Sequence, residues 1–452
     1  MRRLTETTIL SLAGLILIHT WFIEGFPVFC MVQGSSMATN LLGSHVDATC
    51  PNCKITFSYD AQACEEAAPV ACSNCGVKFA LPMPPMVLAG DRVLIDRMAF
   101  QVRRPCRWEV VAFHRWRGGN DLVVKRVVGL PGEKIQIIDG DVYANGQIQR
   151  KTLRQQRALR ILVHDDDYAG STPRWRPQDA GSNWSRQQGR LVHAENIGDD
   201  IGWLVYNHAN AGSDAAQSPP RVTDYAFGNR GRLQRNEAIH PMADLAMSLH
   251  IDDIHGRGLL WLQASDGRDE FMVRIDPHAE KYTVARNRQV LTDACGDLSG
   301  SLRGQTIEVS LFDRQFLLSI AGRTLVTLNI DGPGSPPLAD QPLAIGAEGL
   351  GLVVSRLQVF RDVYYTEPPF VAAGRPLAAG VPSSCVPGAD QYFVLGDNSP
   401  VSEDSRTWTE DRFVGHKSLV GKPFVVIFPS CEISLGGWHI QVPDLTRIRY
   451  IR

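Results

Sequence analysis

The sequence predicts a mainly β chain led by one transmembrane helix, with a cysteine-rich insertion and a long β-sandwich (jelly-roll) insertion interrupting a β core. Three observations carry this. Residues Thr7–Ile23 form one uncharged run rich in Leu and Ile. From Gly90 onward the chain breaks into short runs of Val, Ile, Leu and aromatic residues bounded by Gly, Pro, Asn and Asp, the pattern of strands and turns. Two C-x-x-C pairs stand between that apolar run and the first strands. A chain of 452 residues exceeds one ordinary core, so roughly two to four domains are expected. A net charge of −2, with acids and bases mixed along the chain, argues against a nucleic-acid partner.

Residues 1–33 read as a membrane anchor. Thr7–Ile23 lies at the short end of the ~17–25 residues that span a lipid bilayer. Glu24 interrupts it, and Gly25–Val32 is again apolar, which fits a tilted or interfacial continuation. Arg2 and Arg3 precede the run, so the positive-inside rule puts the N-terminus in the cytoplasm and the rest of a single-pass chain outside the inner (cytoplasmic) membrane. A cleavable secretory signal is the competing reading; no clear small-x-small site follows the run, which favours the anchor. His19 reads as a packed or interfacial histidine.

Within residues 47–80, Cys50-Pro51-Asn52-Cys53 and Cys72-Ser73-Asn74-Cys75-Gly76 are separated by 18 residues. This is zinc-ribbon spacing: each knuckle offers two thiolates on a tight turn, and zinc accepts four sulfurs tetrahedrally. Gly76 lets its turn close. So short an insertion buries little core without a metal. Disulfide pairing is the alternative outside the cytoplasm. Four sulfur ligands leave no open position, so the expected role is structural. Cys64 reads as a spare thiol.

Residues 87–150 form a first β block, with strands expected at Gly90–Arg97, Trp108–His114, Leu122–Val128 and Lys134–Ile138, then turns at Asp139-Gly140 and Asn145-Gly146. Lys125 stands among Val123, Val124, Val127 and Val128. A free lysine, with a pKa near ~10.4, accepts no proton at neutral pH, but burial lowers that value. A shift of ~3 units costs about 4 kcal/mol, which the fold must supply. The neutral amine would then take a proton from a hydroxyl such as that of Ser36. Arg126 cannot serve, because guanidinium stays charged. Alone, a lysine in a valine-rich strand is more often a snorkelling or edge residue.

Residues 160–365 are too long for a loop and read as strand after strand, among them Gly202–Tyr206, Asp244–Ile251, Gly258–Ala264, Glu270–Ile275, Pro342–Ala347 and Gly351–Arg361. Short strands at this spacing indicate a sandwich. Trp175, Trp184, Trp203 and Trp261 either stack on sugars or fill the core. No carboxylate pair among Asp252, Asp253, Asp266, Asp269 and Glu270 has a spacing that singles it out for glycoside hydrolysis. The layout resembles the concanavalin-like lectin and glucanase sandwiches, which implies a glycan or protein ligand and a docking or substrate-presenting role.

Residues 391–430 return to the core. The strand Gln391–Leu395 leads into Gly396-Asp397-Asn398-Ser399-Pro400-Val401-Ser402-Glu403-Asp404-Ser405-Arg406. A strand at Pro423–Pro429 follows, and His416 reads as a surface residue. The tail, 431–452, carries no readable chemistry.

Three stretches in this order, Gly34-Ser35-Ser36-Met37, Lys125-Arg126-Val127-Val128-Gly129-Leu130-Pro131-Gly132 and the G-D-N-x-x-x-S-x-D-S-R run from Gly396 to Arg406, resemble the type I signal peptidase (leader peptidase) family. The resemblance covers at most half of the chain: the anchor, the segment 34–46, 87–150 and 391–430. It implies a membrane-bound serine endopeptidase that removes signal peptides from exported preproteins. In that reading Ser36 is the nucleophile and Lys125 the base. Ser402 holds the amine, Asp404 and Arg406 form a bracing ion pair, Gly396, Asp397 and Asn398 shape the turn, and the Ser36 backbone N–H serves the oxyanion. Two departures stand out: Gly34 occupies a position where many members have serine, and Ala38-Thr39-Asn40-Leu41 replaces the usual Pro-Thr-Leu. Ser35 is the rival nucleophile, and Met37 favours Ser36. The other readings are a Ser/Lys protease with one dedicated substrate and, as a non-enzyme, a membrane-tethered carbohydrate- or protein-binding module on a decayed scaffold.

Overall fold

The computed structural model describes residues 2–18, 27–64, 69–81, 84–115, 121–195, 200–208, 221–224, 240–331, 337–366, 371–372, 375–376, 384–408, 411–427, 430–435, 438–443 and 445–451. The sequence expectations at His19, Ile23, Glu24, Gly25 and Pro429 lie outside these residues.

The N-terminal helix runs from Arg2 to Ile18, 17 residues that include the charged first turn. Among the described residues no helix is long and apolar enough to cross a membrane, so the expected transmembrane helix is not supported. The cause is at both ends. Arg2, Arg3 and Glu6 occupy helical positions that the apolar count had left out. Nor do Pro27–Met31 continue the helix: they form a β-strand paired antiparallel with Arg92–Asp96. The helix is nonetheless apolar on every side, with Ile9, Leu10, Leu12, Leu15, Ile16 and Leu17 all exposed.

The β core is one sheet. Its order is Pro27–Met31, Arg92–Asp96, Leu419–Val426, Val110–His114, Leu122–Gly129, Gln391–Leu395 and Val414–Gly415, and Arg449–Tyr450 adds to Leu419–Val426. The segment from Ile135 to Ile148 packs beside it as a three-stranded meander. Its two turns, Asp139-Gly140 and Asn145-Gly146, hold all four residues at positive φ, the geometry that matches the twist of flanking strands. The strands expected between Gly90 and Ile138 and at Gln391–Leu395 are present within a residue or two at each end, whereas the one expected at Pro423–Pro429 runs from Leu419 to Val426. The tail, in which the sequence shows no readable chemistry, adds the pair Ser430–Leu435 and Trp438–Pro443 and returns Arg449–Tyr450 to the core sheet.

The insertion forms a two-layered sandwich whose strands belong to one folded-over sheet. Expected breaks between Ile251 and Gly258, and between Ala347 and Gly351, are absent. Leu245–Ser265 and Leu343–Arg361 are continuous strands that pair with each other along most of their length. Each passes from one layer to the other. The first half of Leu245–Ser265 pairs with Thr306–Phe312, the second half with Glu270–Asp276. Gly256 and Gly349 sit at the bend with φ of 88° and 65°, a backbone that side chains rarely tolerate. Between the layers lies the largest apolar cluster, with Leu249, Leu260, Phe271, Val309, Phe316, Ile345 and Leu352 fully buried. Strands at Ile161–Asp165, Trp175–Pro177, Trp184–Gln187 and Gln289–Asp297 were not separately visible in the sequence.

Candidate active site

Lys125 lies on a central strand. Val110–His114 flanks it on one side, with Val111 opposite Lys125, and Gln391–Leu395 on the other, with Leu395 opposite Arg126. One step past Leu395 the chain reaches Gly396, so strand register alone brings the Gly396–Arg406 loop beside the lysine. The Lys125 side chain is 3% exposed, and its Nζ donates to Ser402 Oγ at 3.2 Å. Burial pulls the amine down to about 8. The Asp404 and Asp397 carboxylates resist that pull, and the Arg406 guanidinium adds to it.

The Ser36 segment meets the same loop. Asn398 donates twice, from its backbone N–H to Ser36 O at 3.0 Å and from Nδ2 to Ser35 O at 3.1 Å. Gly396 has no side chain because a Cβ would collide with both Ser402 Oγ and the Ser36 carbonyl oxygen. The lysine's partner and the serine backbone thus lie on either side of one glycine. Met37 is 1% exposed and packs with Leu41, Val93, Val110 and Val426, which pins the residue after Ser36 into the core. Ser36 itself stays half-buried. Among the described residues its backbone N–H has no acceptor.

Asp404 and Arg406 form a bidentate pair, Nε to Oδ1 at 2.8 Å and a terminal nitrogen to Oδ2 at 2.7 Å. Asp404 Oδ2 also accepts from Gly396 N–H at 3.0 Å, which closes the loop on itself. Burial pushes the Asp404 carboxyl up, but Arg406 overrides it and holds the group below its ordinary range. Arg406 reaches further, to Ser399 Oγ at 2.6 Å and Thr366 Oγ1 at 2.8 Å.

Asp397 does more than shape a turn. Its two oxygens accept from Arg126 Nε and a terminal Arg126 nitrogen, both at 2.7 Å, and both side chains are 1% exposed. Asp397 Oδ2 also accepts from Asn40 Nδ2 at 2.7 Å. Arg126 therefore ties the lysine strand to the loop, and Asn40 ties the serine segment to the same carboxylate. Sequence reasoning set Arg126 aside as a failed base and saw Asn40 only as a departure from a pattern. The available signal was electrostatic: a guanidinium among valines in a central strand needs a buried counter-charge.

The four cysteines Cys50, Cys53, Cys72 and Cys75 stand as free thiols with all sulfurs within 4.8 Å of one another. Two Sγ–Sγ separations are 3.6 Å, Cys50 to Cys75 and Cys53 to Cys72. Sulfurs bound tetrahedrally at ~2.3 Å from one ion would be spaced by close to that distance. Both knuckles have the same backbone bonds: Lys54 N–H to Cys50 O and Cys50 N–H to Ile55 O in one, Gly76 N–H to Cys72 O and Cys72 N–H to Val77 O in the other. Lys54 and Gly76 take positive φ at equivalent places. This cluster could hold a metal ion.

Two segments, residues 79–195 and 374–428, match the family "Signal peptidase, peptidase S26". They contain Lys125 and the loop from Gly396 to Arg406, whereas Ser36 lies outside them. The probable signal peptidase I-2 of Synechocystis sp. is 32% identical over 71 residues, 15% of this chain and 33% of that protein. Signal peptidase I of Leptolyngbya laminosa is 32% identical over 72 residues, 14% and 36%. Signal peptidase IB of Staphylococcus aureus is 34% identical over 67 residues, 15% and 34%. The chain thus spans about a third of the length of these relatives. Among solved structures, SCLam, a non-specific endo-β-1,3(4)-glucanase of family GH16, aligns with 52% of this chain and 97% of its own at 12% identity and a TM-score of 0.29. The carbohydrate-binding module CBM66 of Bacillus subtilis aligns with 42% and 96% at 9% identity and a TM-score of 0.24. Over these two segments the chain is similar to the signal peptidase family.

Proposed function

We propose that this chain is a membrane-bound serine endopeptidase that removes N-terminal signal peptides from exported preproteins with a Ser36/Lys125 dyad. The observation that carries the reading is the buried Lys125 amine, lowered to about 8, bonded to Ser402 and separated from the Ser36 backbone by the Gly396 gap. An extended substrate lies along a strand edge near the membrane, with small residues at the scissile bond. Neutral Lys125 takes the Ser36 hydroxyl proton as Oγ bonds to the scissile carbonyl carbon. The oxyanion is met by the Ser36 N–H, which has no acceptor among the described residues. The Lys125 ammonium then gives its proton to the leaving amine, and the acyl-enzyme forms. Water, deprotonated by the regenerated amine, releases the acyl group.

In this reading the N-terminal helix holds the chain at the extracytoplasmic face of the inner membrane with its N-terminus in the cytoplasm. A helix apolar on every side finds no favourable partner in water, and Arg2 and Arg3 mark its cytoplasmic end. The four cysteines hold a structural zinc ion: the set is all sulfur, so every position on the ion is filled by protein. The sandwich, with its carbohydrate- or protein-binding character, takes no part in the chemistry.

The test is cleavage-site mapping of a set of exported preproteins with the full chain in detergent. Cleavage between small residues, abolished in both Ser36→Ala and Lys125→Ala, is the expected result. An intact substrate set with the unmodified chain would replace this reading with a tethered binding module.

A further inference from the structure

The segment that carries Ser36 is a closed loop from Val32 to Ser44. At its neck Ser44 N–H donates to Gln33 O at 3.2 Å, and a Cβ at Gly43 would collide with the Gln33 and Gly34 carbonyl oxygens. Asp91 closes the neck. Its carbonyl accepts from Val32 N–H at 2.9 Å, its N–H donates to Leu42 O at 2.8 Å, and its Oδ2 accepts from Leu42 N–H at 3.0 Å. The Asp91 side chain is fully buried, and among the described residues its Oδ1 has no donor. A buried carboxylate in that state depends on the charge that reaches its other oxygen. That charge comes from the tail. Arg449 pairs with Val426, and Ile451 packs on the cluster that contains Met37 and Leu41. One Arg449 nitrogen, Nη2, donates both to Asp91 Oδ2 at 2.9 Å and to Asn40 O at 2.7 Å. A single guanidinium thus bridges the neck of the loop to the turn that follows Ser36.

We propose, on the Ser36/Lys125 reading, that Arg449 is a positioning residue for the nucleophile. Two clamps hold the loop. Asn398 and Asp397 hold it through the Ser35 and Ser36 carbonyls and the Asn40 side chain. Arg449 and Asp91 hold it through the Asn40 carbonyl and the neck. The first clamp belongs to the strand and loop that also carry the lysine and its Ser402 partner. The second comes from a part of the chain with no other contact to the dyad, and it fixes the loop as a whole against the β core. A nucleophile is productive only within about 0.5 Å of its working geometry, so slack in either clamp costs turnover rather than substrate affinity. The charges that act most on Lys125 are those of Asp404, Arg406, Asp397 and Glu403. Loss of Arg449 should therefore slow cleavage without moving its pH profile.

The experiment measures preprotein cleavage and amide hydrogen exchange, with the full chain in detergent, for the natural chain and for Arg449→Ala, Arg449→Gln and Arg449→Lys. In Arg449→Ala the segment Gln33–Ser44 should exchange faster while Leu122–Gly129 is unchanged. Its kcat, counted per folded molecule, should fall about tenfold or more with KM within about twofold and the midpoint of the pH profile unmoved. Arg449→Lys keeps one charged nitrogen for the two acceptors and should recover kcat to within about threefold. If Arg449→Ala does not fold, Arg449→Gln at this half-buried position reads the same effect as a several-fold loss. The proposal is overturned if exchange in Gln33–Ser44 is unchanged, or if a kcat that Ser36→Ala abolishes survives Arg449→Ala and Arg449→Gln. If the natural chain cuts no preprotein, the dyad reading falls and exchange alone decides: faster exchange upholds the Arg449 clamp on the loop, unchanged exchange overturns it.

Discussion

In the proposed mechanism Lys125 sets the chemistry of the site through one competition. Burial favours the neutral amine, while Asp404, Asp397 and Glu403 favour the charged one. With the balance at about 8, the fraction of neutral base rises with pH through that value, where half of the amine is neutral. The kcat/KM for preprotein cleavage should therefore climb along an acid limb with an apparent pKa near 8 and level off above it. Asp404→Asn removes the strongest of the opposing charges and leaves Arg406 in place, so the limb should move to lower pH while the maximal rate falls. Lys125→Arg should cut nothing at any pH, because guanidinium keeps its proton. The stability sign follows the same shift. The folded value lies below the unfolded one, so from about pH 8 to 10.5 the unfolded chain holds the extra proton and stability from this group rises with pH. Below that window the buried charge costs about 3 kcal/mol. Arg126 and Asp397 make a second residue-scale prediction. Both are buried and satisfied only by each other and their few neighbours. Removing either charge alone, as Arg126→Ala or Asp397→Ala, strands the other and should cost about 3–5 kcal/mol in urea unfolding. Asn40→Ala removes one hydrogen bond to the same carboxylate and should cost about 1 kcal/mol, with a fall in kcat as the serine segment loosens.

At the scale of elements, turn chemistry decided what could be read from sequence. Asp139-Gly140 and Asn145-Gly146 carry glycine where φ is positive, and each marked its hairpin. Asn287-Arg288 and Asp313-Arg314 adopt the same kind of turn without glycine. The first of these therefore hid the strand Gln289–Asp297, whose mostly exposed residues give no apolar alternation either. The long strands failed for the opposite reason: glycines at 256, 258, 349 and 351 read as stops, although they bend a strand that continues. The cysteine knuckles were legible because their spacing is fixed by the turn itself, yet Lys54 at positive φ had no signature. Purified protein should carry one zinc per chain by metal analysis, and Cys53→Ser or Cys72→Ser should lose it. The second knuckle also docks on the sandwich: Asn74 Nδ2 donates to Tyr168 O at 2.9 Å, and its Oδ1 accepts from Asp165 N–H at 2.7 Å. Chelation should therefore lower Tm of the whole chain beyond the loss of the ribbon alone.

Across the whole molecule, the sandwich is joined to the β core at a charged seam that no local pattern announced. Lys151, 2% exposed, follows the core meander and donates to Asp313 Oδ1 at 2.6 Å and Asp362 Oδ2 at 2.7 Å, both from the sandwich. Asp141, from the meander, and Asp244, from the sandwich, lie close to the same group, so carboxylates outnumber the one lysine. These residues are far apart in sequence and each reads there as an ordinary loop acid. Only the fold makes them neighbours. The site beside the seam depends on it: Thr366, just past the last sandwich strand, accepts from Arg406 and donates its N–H to Ser399. Burial, then the Asp362 and Asp313 charges, push Asp244 up to about 8. Its folded value lies above the unfolded one, so the folded state holds the extra proton from about pH 4 to 8, and this group's contribution is lost as pH rises through that window. The loss is at most about 1.4 kcal/mol per pH unit, the slope for one proton. Asp244→Asn fixes the group as neutral while keeping an oxygen for the Asp313 N–H, which Asp244 Oδ2 accepts at 2.8 Å. At pH 8 and above the variant should unfold at higher urea than the natural chain, and the two should converge as pH falls to about 4. Equal pH dependence in both would mean that the seam keeps its proton elsewhere, on Asp141 or Asp313.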